Sequence, residues 1–309
     1  MNAVLTPLAG AATAPAASPP SATLQPPVRP EYERPLEPLG SVTPAQPLPW
    51  FTRLWGVAAV RRTVILAVLA ALWQALALWQ DNELLLPSFT ATVRALVEDW
   101  ASGELLTKAG ASLAVLVQGY LLGIAGALVL TTLAVSTQLG RDLLTTLTSM
   151  FNPLPAIALL PLALLWFGLG QGSLLFVLVH SVLWPLALNT YAGFQAVPET
   201  LRMAGRNYGL RGVPYVLQIL IPAALPSILS GLKIAWAFAW RTLIAAELVF
   251  GASSGKGGLG WYIFQNRSEL YTDKVFAGLL TVIAIGLLVE TLGFHTLERL
   301  TVRKWGVQR

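Results

Sequence analysis

Apolar residues run through the chain in long blocks, and polar residues come in short islands between them. Six blocks are long enough to cross a bilayer, which takes about 20 apolar residues as a helix. They are Thr63 to Trp79, Ala109 to Val135, Leu143 to Phe167, Ser173 to Phe194, Ala223 to Phe250, and Lys274 to Leu297. The pattern predicts an all-α, polytopic membrane protein of about six spans. Residues 1–49 do not follow it. They are Pro- and Ala-rich with little periodicity, and are expected to be a disordered tail, leaving 50–309 as the membrane domain. The APAAS stretch of the tail resembles a cleavage site, but it lacks a basic segment and an apolar core before it. WFTRLWGVAAVRR (Trp50 to Arg62) mixes aromatics with arginines, as expected of a helix lying at the membrane interface.

Between Asp81 and Gly103 the chain is acidic, with Asp81, Glu83, Glu98 and Asp99 against Arg94. Ser88 is placed to cap a helix running through Trp100, on which Phe89, Val93, Leu96 and Trp100 form a stripe. Such a helix either lies on the outer surface or packs like a soluble one. Gly119 and Gly123 in the second block have the spacing that lets helices approach closely, or are incidental. The third block is interrupted by Asn152, Pro153, Pro155 and Pro161. Prolines free backbone carbonyls, and such groups are tolerated at membrane depth when they face protein or a cavity. Either a broken helix beside a path or a kinked structural helix fits. The fifth block carries Lys233, Arg241 and Glu247. Ionisable groups at depth usually pair or face a water-filled path. Lys233 is expected to snorkel to a membrane face. Arg241 either pairs with Glu247 or lends a path positive potential.

The long polar island from Val197 to Pro222, VPETLRMAGRNYGLRGVPYVLQILIP, carries Arg202, Arg206 and Arg211 and one acid, Glu199. A helix is predicted from Pro198, ending at Gly209. Leu201, Ala204 and Tyr208 share one face of it, and Arg202 and Arg206 share another.

Composition agrees with this picture. Apolar residues make up 55% of the 309 residues and charged residues 11%, well under the roughly 25% of soluble domains. Mean hydropathy is +0.64. The net charge of +5 does not signal nucleic acid, because the basic residues flank apolar blocks. Arg53, Arg61, Arg62, Arg141, Arg202, Arg206, Arg211, Arg299, Arg303, Lys304 and Arg309 fall on one side of the spans. Only Arg94, Lys108, Lys256, Arg267 and Lys274 fall on the other. Cytoplasmic loops carry the excess of Lys and Arg, so both termini are expected in the cytoplasm. There are no cysteines, which excludes disulfides and thiolate metal sites.

Enzyme motifs fail on context. Gly251 to Gly255 fits G-x-S-x-G, but it leaves a membrane helix for a loop and lacks the strand that a nucleophile elbow needs. Gly255, Gly257 and Gly260 fit G-x-G-x-x-G with no βαβ unit around them. The P-loop pattern fails at Phe250 and Gly257. An intramembrane enzyme would need a pair such as His180 and His295 brought together. An ion-gradient-driven secondary transporter is the alternative function, and it would need an internal repeat and a buried carboxylate.

The polar island resembles the coupling loop of permease subunits in bacterial ABC importers. The Glu-Ala-Ala triplet of that pattern falls on Met203, Ala204 and Gly205, its glycine on Gly209, and its closing Ile-x-Leu-Pro group on Ile219, Leu220, Ile221 and Pro222. The triplet's glutamate is replaced by Met203; either Glu199 supplies that contact or docking is mainly apolar. NPLPAIALLPLALLWFGLG, WPLALNTYAGF, LIPAALPSILSGLKIAWAFAWRTLIAAEL and the GGLG after the fifth block are similar to the nitrate, taurine and alkanesulfonate branch, over about Leu84 to Glu298. The resemblance implies a type I ABC importer permease fold in the bacterial inner membrane. It implies a homodimer with the path between its copies, two ATP-binding cassette subunits on the coupling loops, and a periplasmic or lipid-anchored solute-binding protein. Family cargoes are small oxyanions and organic anions, from nitrate, bicarbonate and taurine to sulfonates and aromatic acids. No cofactor is expected on this chain; ATP and Mg belong to the partner ATPase. The expected ATPase-coupling residues are Glu199, Arg202, Met203, Ala204, Gly205, Arg206 and Gly209. The expected path residues are Asn152, Pro155, Asn189 and Arg241.

Overall fold

The computed structural model describes residues 50–250 and 257–303. The expected N-terminal tail, the G-x-S-x-G stretch and most of the basic C-terminal tail lie outside them. Among the described residues every regular element is helical. A short helix, α1 (Trp50–Gly56), stacks Phe51 on Trp55 and forms a unit apart from the bundle that begins at Ala58.

The bundle has five continuous apolar helices long enough to span a membrane: α2 (Ala58–Gln80), α4 (Glu104–Ser136), α7 (Gln171–Gln195), α10 (Leu225–Phe250) and α12 (Thr272–Thr301). The third block is not one of them. It divides into α5 (Gln138–Phe151) and a pair of turns, a 3₁₀ segment Ala156–Leu159 continued by α6 (Leu160–Phe167). The two halves meet at 89°. Of the two sequence readings, this is the broken helix. Asn152, Pro153 and Pro155 occupy the joint, where a proline supplies no amide to the helical ladder. Shorter helices complete the chain: α3 (Phe89–Ala101), α8 (Glu199–Asn207), α9 (Gly212–Ala223, with an internal π turn) and α11 (Leu259–Ser268).

α7 is the hub. Half of its apolar window is buried (50%), against 6% for α2, which is peripheral. α4 and α10 pack on its two sides. A Cβ on Gly119 would sit 2.6 Å from Leu178 Cβ, and one on Gly123 2.5 Å from Val182 Cβ. The two glycines are therefore a true close-approach face, not incidental, because side chains there would push α4 off α7.

At one end of the bundle α3, α11 and the start of α12 form a cap. Ser88 caps α3 as its sequence predicts, its hydroxyl accepting from the Ala91 amide at 3.1 Å. The buried face is turned from the predicted stripe: Thr92, Ala95 and Asp99 are buried, and Trp100 is exposed. The reason is polar. Asp99 accepts from the Tyr262 hydroxyl and from Lys274 Nζ at 3.0 Å, which draws its face of α3 inward. Burial and the adjacent Asp99 carboxylate raise the Tyr262 phenol well above its usual range, so it stays protonated as the donor.

A second bond set joins the cap to the membrane helices. Glu247 on α10 is buried; Ser112 Oγ donates to its carboxylate at 2.8 and 2.9 Å, and the Gly260 amide donates at 2.9 Å. The Leu259 amide donates to Ser112 Oγ at 2.9 Å. One carboxylate thus binds α4 and the first turn of α11. Of the two readings of Arg241, this disfavours the pairing with Glu247. Residues six apart on a helix point about 120° away from each other and sit about 9 Å apart along the axis.

Candidate functional site

The polar island folds as the sequence predicts. α8 starts after Pro198, whose fixed φ suits a helix entrance. It ends in a paired C-terminal hydrogen-bond motif: the Leu210 amide donates to the Gly205 carbonyl at 3.1 Å, and the Gly209 amide to the Arg206 carbonyl at 2.9 Å. That motif needs a left-handed residue, and Gly209 has φ +78°.

The faces of α8 differ in use. Gly205 is buried, and a Cβ there would meet Ile219 at 2.8 Å and Tyr215 at 3.2 Å. Its small size lets α8 lie on α9. Arg202 also turns inward: its guanidinium donates to the Phe194 carbonyl at 2.5 Å and the Val197 carbonyl at 3.1 Å, at the C-terminal end of α7. The Phe194 carbonyl also accepts from the Val197 amide at 3.3 Å; the cation adds a donor at the negative end of α7 and ties α8 to it. Glu199 bridges Arg202 and Arg206 at 3.9 and 4.0 Å on the exposed side. The face of Leu201, Ala204 and Tyr208 is apolar and open: Leu201 is 40% exposed and Tyr208 87%, with Ala204 exposed between them, while Met203, 49% exposed, lies on the side of Glu199 and Arg206. Gly205 and Arg202 thus position the helix, while Leu201 and Tyr208, outside the predicted coupling set, supply its outward surface.

The broken span builds the other candidate region. A cavity of about 300 Å³ opens where α5 meets the 3₁₀ turn, against α7 and α10. Its lining includes the predicted Asn152 and Pro155 together with His180, Trp184, Phe238 and Thr242. Irregular backbone at membrane depth bordering a cavity is the arrangement in which freed carbonyls are tolerated. The other two predicted path residues are elsewhere. Asn189 donates to the Pro185 carbonyl at 2.8 Å and packs against Gly231, where α7 and α10 touch. Arg241 lines a separate cavity of about 290 Å³ with Lys233, Trp236, Trp240 and Glu290. Its guanidinium carbon lies 5.7 Å from the Phe238 ring centroid, within cation–π range. Among the described residues no carboxylate is within ion-pair distance of it. Lys233, expected to snorkel, is held by Glu298 at 2.8 Å. His180 and His295 share no cavity: His180 packs on Phe151 and Trp184, and His295 is exposed. Among the described residues no group of His, Cys, Asp and Glu is arranged to hold a metal ion.

Sequence reasoning passed over two features. The Glu247–Ser112 link joins residues 135 apart and carries no local motif. The pairing of His180 with Trp184 on one wall of the cavity had a weak signal, since i and i+4 share a helix face.

Comparison with known proteins agrees with this architecture. The sequence profile of the family described as "binding-protein-dependent transport system inner membrane component" matches residues 119–301, more than half of the chain. A protein of Methanocaldococcus jannaschii named as an ABC transporter permease is 31% identical over 228 residues, covering 72% of this chain and 84% of its own length. An Escherichia coli protein named as an aliphatic sulfonates transport permease is 34% identical, over 53% of this chain and 60% of its own length. The taurine transport system permease protein of Escherichia coli is 33% identical, over 52% and 56%. The matched segments thus span little more than half of the two Escherichia coli proteins. With a profile match across α4 to α12, a helical bundle of five spans and one broken pair, and an α8 that keeps the spacing of a coupling loop, the chain belongs to the family of binding-protein-dependent transport system inner membrane components.

Proposed function

We propose that two copies of this chain form the membrane path of an ATP-driven importer for a small organic anion, with both termini in the cytoplasm. The observation that carries the reading is the open apolar face of α8. Leu201 and Tyr208 are large apolar side chains that share, with Ala204, one exposed face of a short helix that Arg202 and Gly205 tie to α7 and α9. A contiguous exposed apolar face of this kind marks an interaction surface. Its occupant in this reading is an ATP-binding cassette subunit, one on each copy. Because Arg202 ties α8 to the end of α7 and Gly205 seats it on α9, a pull on α8 moves the hub helix as a rigid body, which turns the path from one side to the other. ATP and Mg act in that partner subunit. Cargo reaches the cap end from a solute-binding protein. The names of the sulfonate and taurine relatives, and the cationic Arg241, support an organic anion as cargo. The gradient-driven alternative needs a carboxylate facing a path, whereas the buried Glu247 is bound by Ser112 and Gly260.

Mild-detergent purification of the tagged protein from its native membranes tests the assembly. An ATPase is expected among the co-purifying proteins, and its absence even after crosslinking in intact cells would count against the reading. Arg241 gives a second prediction. Arg241→Gln is expected to lower anion uptake by about tenfold, the size of one lost charge-assisted contact, and to leave thermal stability in detergent nearly unchanged, since no ion pair is broken. Equal loss of both would assign Arg241 a structural role.

A further inference from the structure

α5 runs for 14 residues, about 21 Å, and stops at the Asn152–Pro155 joint. Each of its residues is turned by about 100° from the one before, and they sort into three sectors. Gly140, Leu144 and Thr148 are buried, on the side of α4 and α7. Leu139, Leu143 and Met150 make a second sector and are 79%, 43% and 63% exposed. Arg141, Asp142, Thr145, Ser149 and Asn152 make the third, and all five are exposed. Thr146 sits on the border between the two open sectors.

The apolar open sector suits lipid, and the polar one does not. The Thr145 and Ser149 hydroxyls donate to the carbonyls one turn back, at 2.9 and 2.8 Å, which leaves their lone pairs facing outward. Asn152 is the member farthest from the start of the helix. Its side chain has no hydrogen-bond partner among the described residues. An unpaired amide is costly against hydrocarbon and costs nothing in water. Asn152 also lines the cavity of about 300 Å³ at the joint, together with the polar side chains of His180, Ser181 and Thr242. The polar sector therefore runs from Arg141 into that cavity without a break. This continuity favours water over a seam between two copies as its occupant, because a roomy, polar-lined cavity holds water and a packed seam leaves none.

The geometry points to α5 as the wet wall of the cytoplasmic half of the path. Thr145 and Ser149 line it, Arg141 stands at its mouth, and Asn152 opens to the cavity at the joint. The same helix turns Leu139, Leu143 and Met150 to lipid, so it divides water from hydrocarbon along its length. The inference rests on the path reading above and deepens it by naming the wall. It does not depend on which solute passes.

The chain has no cysteine, so one substitution supplies its only thiol. Thr145→Cys, Ser149→Cys, Leu143→Cys and Met150→Cys place that thiol on the two open sectors at matching depths. Each full-length variant is tested in inside-out membrane vesicles from cells that hold the native partners, with and without ATP. The probe is the charged thiol reagent 2-sulfonatoethyl methanethiosulfonate, and the remaining free thiol is counted by a maleimide gel shift. Thr145→Cys and Ser149→Cys are expected to react at least about tenfold faster than Leu143→Cys and Met150→Cys, because the thiolate is the reactive form and apolar surroundings suppress it. ATP is expected to change the rates of the first pair and to leave the second pair as it was. Equal rates at all four positions would overturn the inference. So would no reaction of Thr145→Cys or of Ser149→Cys in either condition. Dimers linked through Thr145→Cys on oxidation would also overturn it, by making the polar sector a seam between copies. Selectivity alone decides the wall, and the response to ATP separates it from the importer reading. Selective reaction that ignores ATP would keep the wall and count against ATP-driven transport; a co-purifying ATPase without selective reaction would strike the wall alone.

Discussion

Uptake of the transported anion is expected to fall to background in cells carrying Leu201→Asp/Tyr208→Asp or Gly209→Trp, while the amount of protein in the membrane stays near wild type. The structure separates the two quantities. Tyr208 is 87% exposed and Leu201 40%, so a carboxylate at either place is solvated and costs the fold little. In a docked complex the same carboxylates would be buried against an apolar groove without partners. Losing anchors of this size typically costs 2 kcal/mol or more each, about 30-fold in affinity. Gly209 acts through the backbone. A Cβ there meets nothing within 4 Å, yet φ is +78°, a conformation that costs an L-residue about 1–2 kcal/mol. A bulky residue at Gly209 therefore frays the last turn of α8, which carries Tyr208, rather than the bundle. Uptake measured against quantified membrane protein, with recovery of the co-purifying ATPase, checks both variants. Normal uptake by well-expressed protein would refute the role assigned to α8. Met203→Glu, which restores the acid of the family pattern, is a useful companion at an exposed position elsewhere on the same helix.

The second large effect is expected at the other end of the molecule. Glu247→Leu is expected to lower the unfolding stability of the purified protein by about 3 kcal/mol or more, because hydrogen bonds to charged groups contribute roughly 1.5–3 kcal/mol each and two donors lose their acceptor. The Ser112 hydroxyl proton and the Gly260 amide would remain buried among α4, α10 and α11 without their acceptor. Glu247→Gln keeps one carbonyl acceptor and should recover roughly half of the loss. Gly260→Ala probes the same joint from the opposite side. Its Cβ would fall 2.5 Å from Glu247 Cβ, 2.7 Å from the Ile244 carbonyl oxygen and 3.0 Å from the Leu248 amide nitrogen. Two of these neighbours are backbone, so α11 has to move off α10. Thermal unfolding in detergent followed by tryptophan fluorescence measures each change. A Glu247→Leu protein as stable as wild type would show that the buried carboxylate does not hold the cap.

The two ends of the chain's machinery were unequally legible. α8 was readable because its limits are set by single residues acting locally: Pro198 fixes the entrance, and Gly209 adopts the left-handed turn that closes it. Arg202 was placed with Arg206 on one face of the helix, and the structure turns its guanidinium to the Phe194 and Val197 carbonyls at the end of α7. That depends on where the preceding helix stops in space. The cap shows the same division. The Ser88 hydroxyl bonds an amide three residues away, so one glance along the sequence finds it. Asp99 meets partners 163 and 175 residues away, and their pull rotates α3 away from the stripe that hydrophobicity alone marks out.

By itself, the sequence determined that the chain crosses the membrane, about where each crossing begins and ends, and where α8 starts and stops. These follow from the length of apolar runs in a bilayer and from backbone preferences of proline and glycine, which act within one turn of helix. Only the tertiary structure decided that the third block bends by 89°, that Asn152 and Pro155 share a cavity with His180 and Trp184 while Asn189 and Arg241 do not, and that Glu247 belongs to Ser112 and Gly260 rather than to Arg241. Each of these depends on which helix faces which. Packing among distant segments sets that, and in a membrane span the apolar pattern is nearly uniform around the helix, so the sequence holds little signal for it.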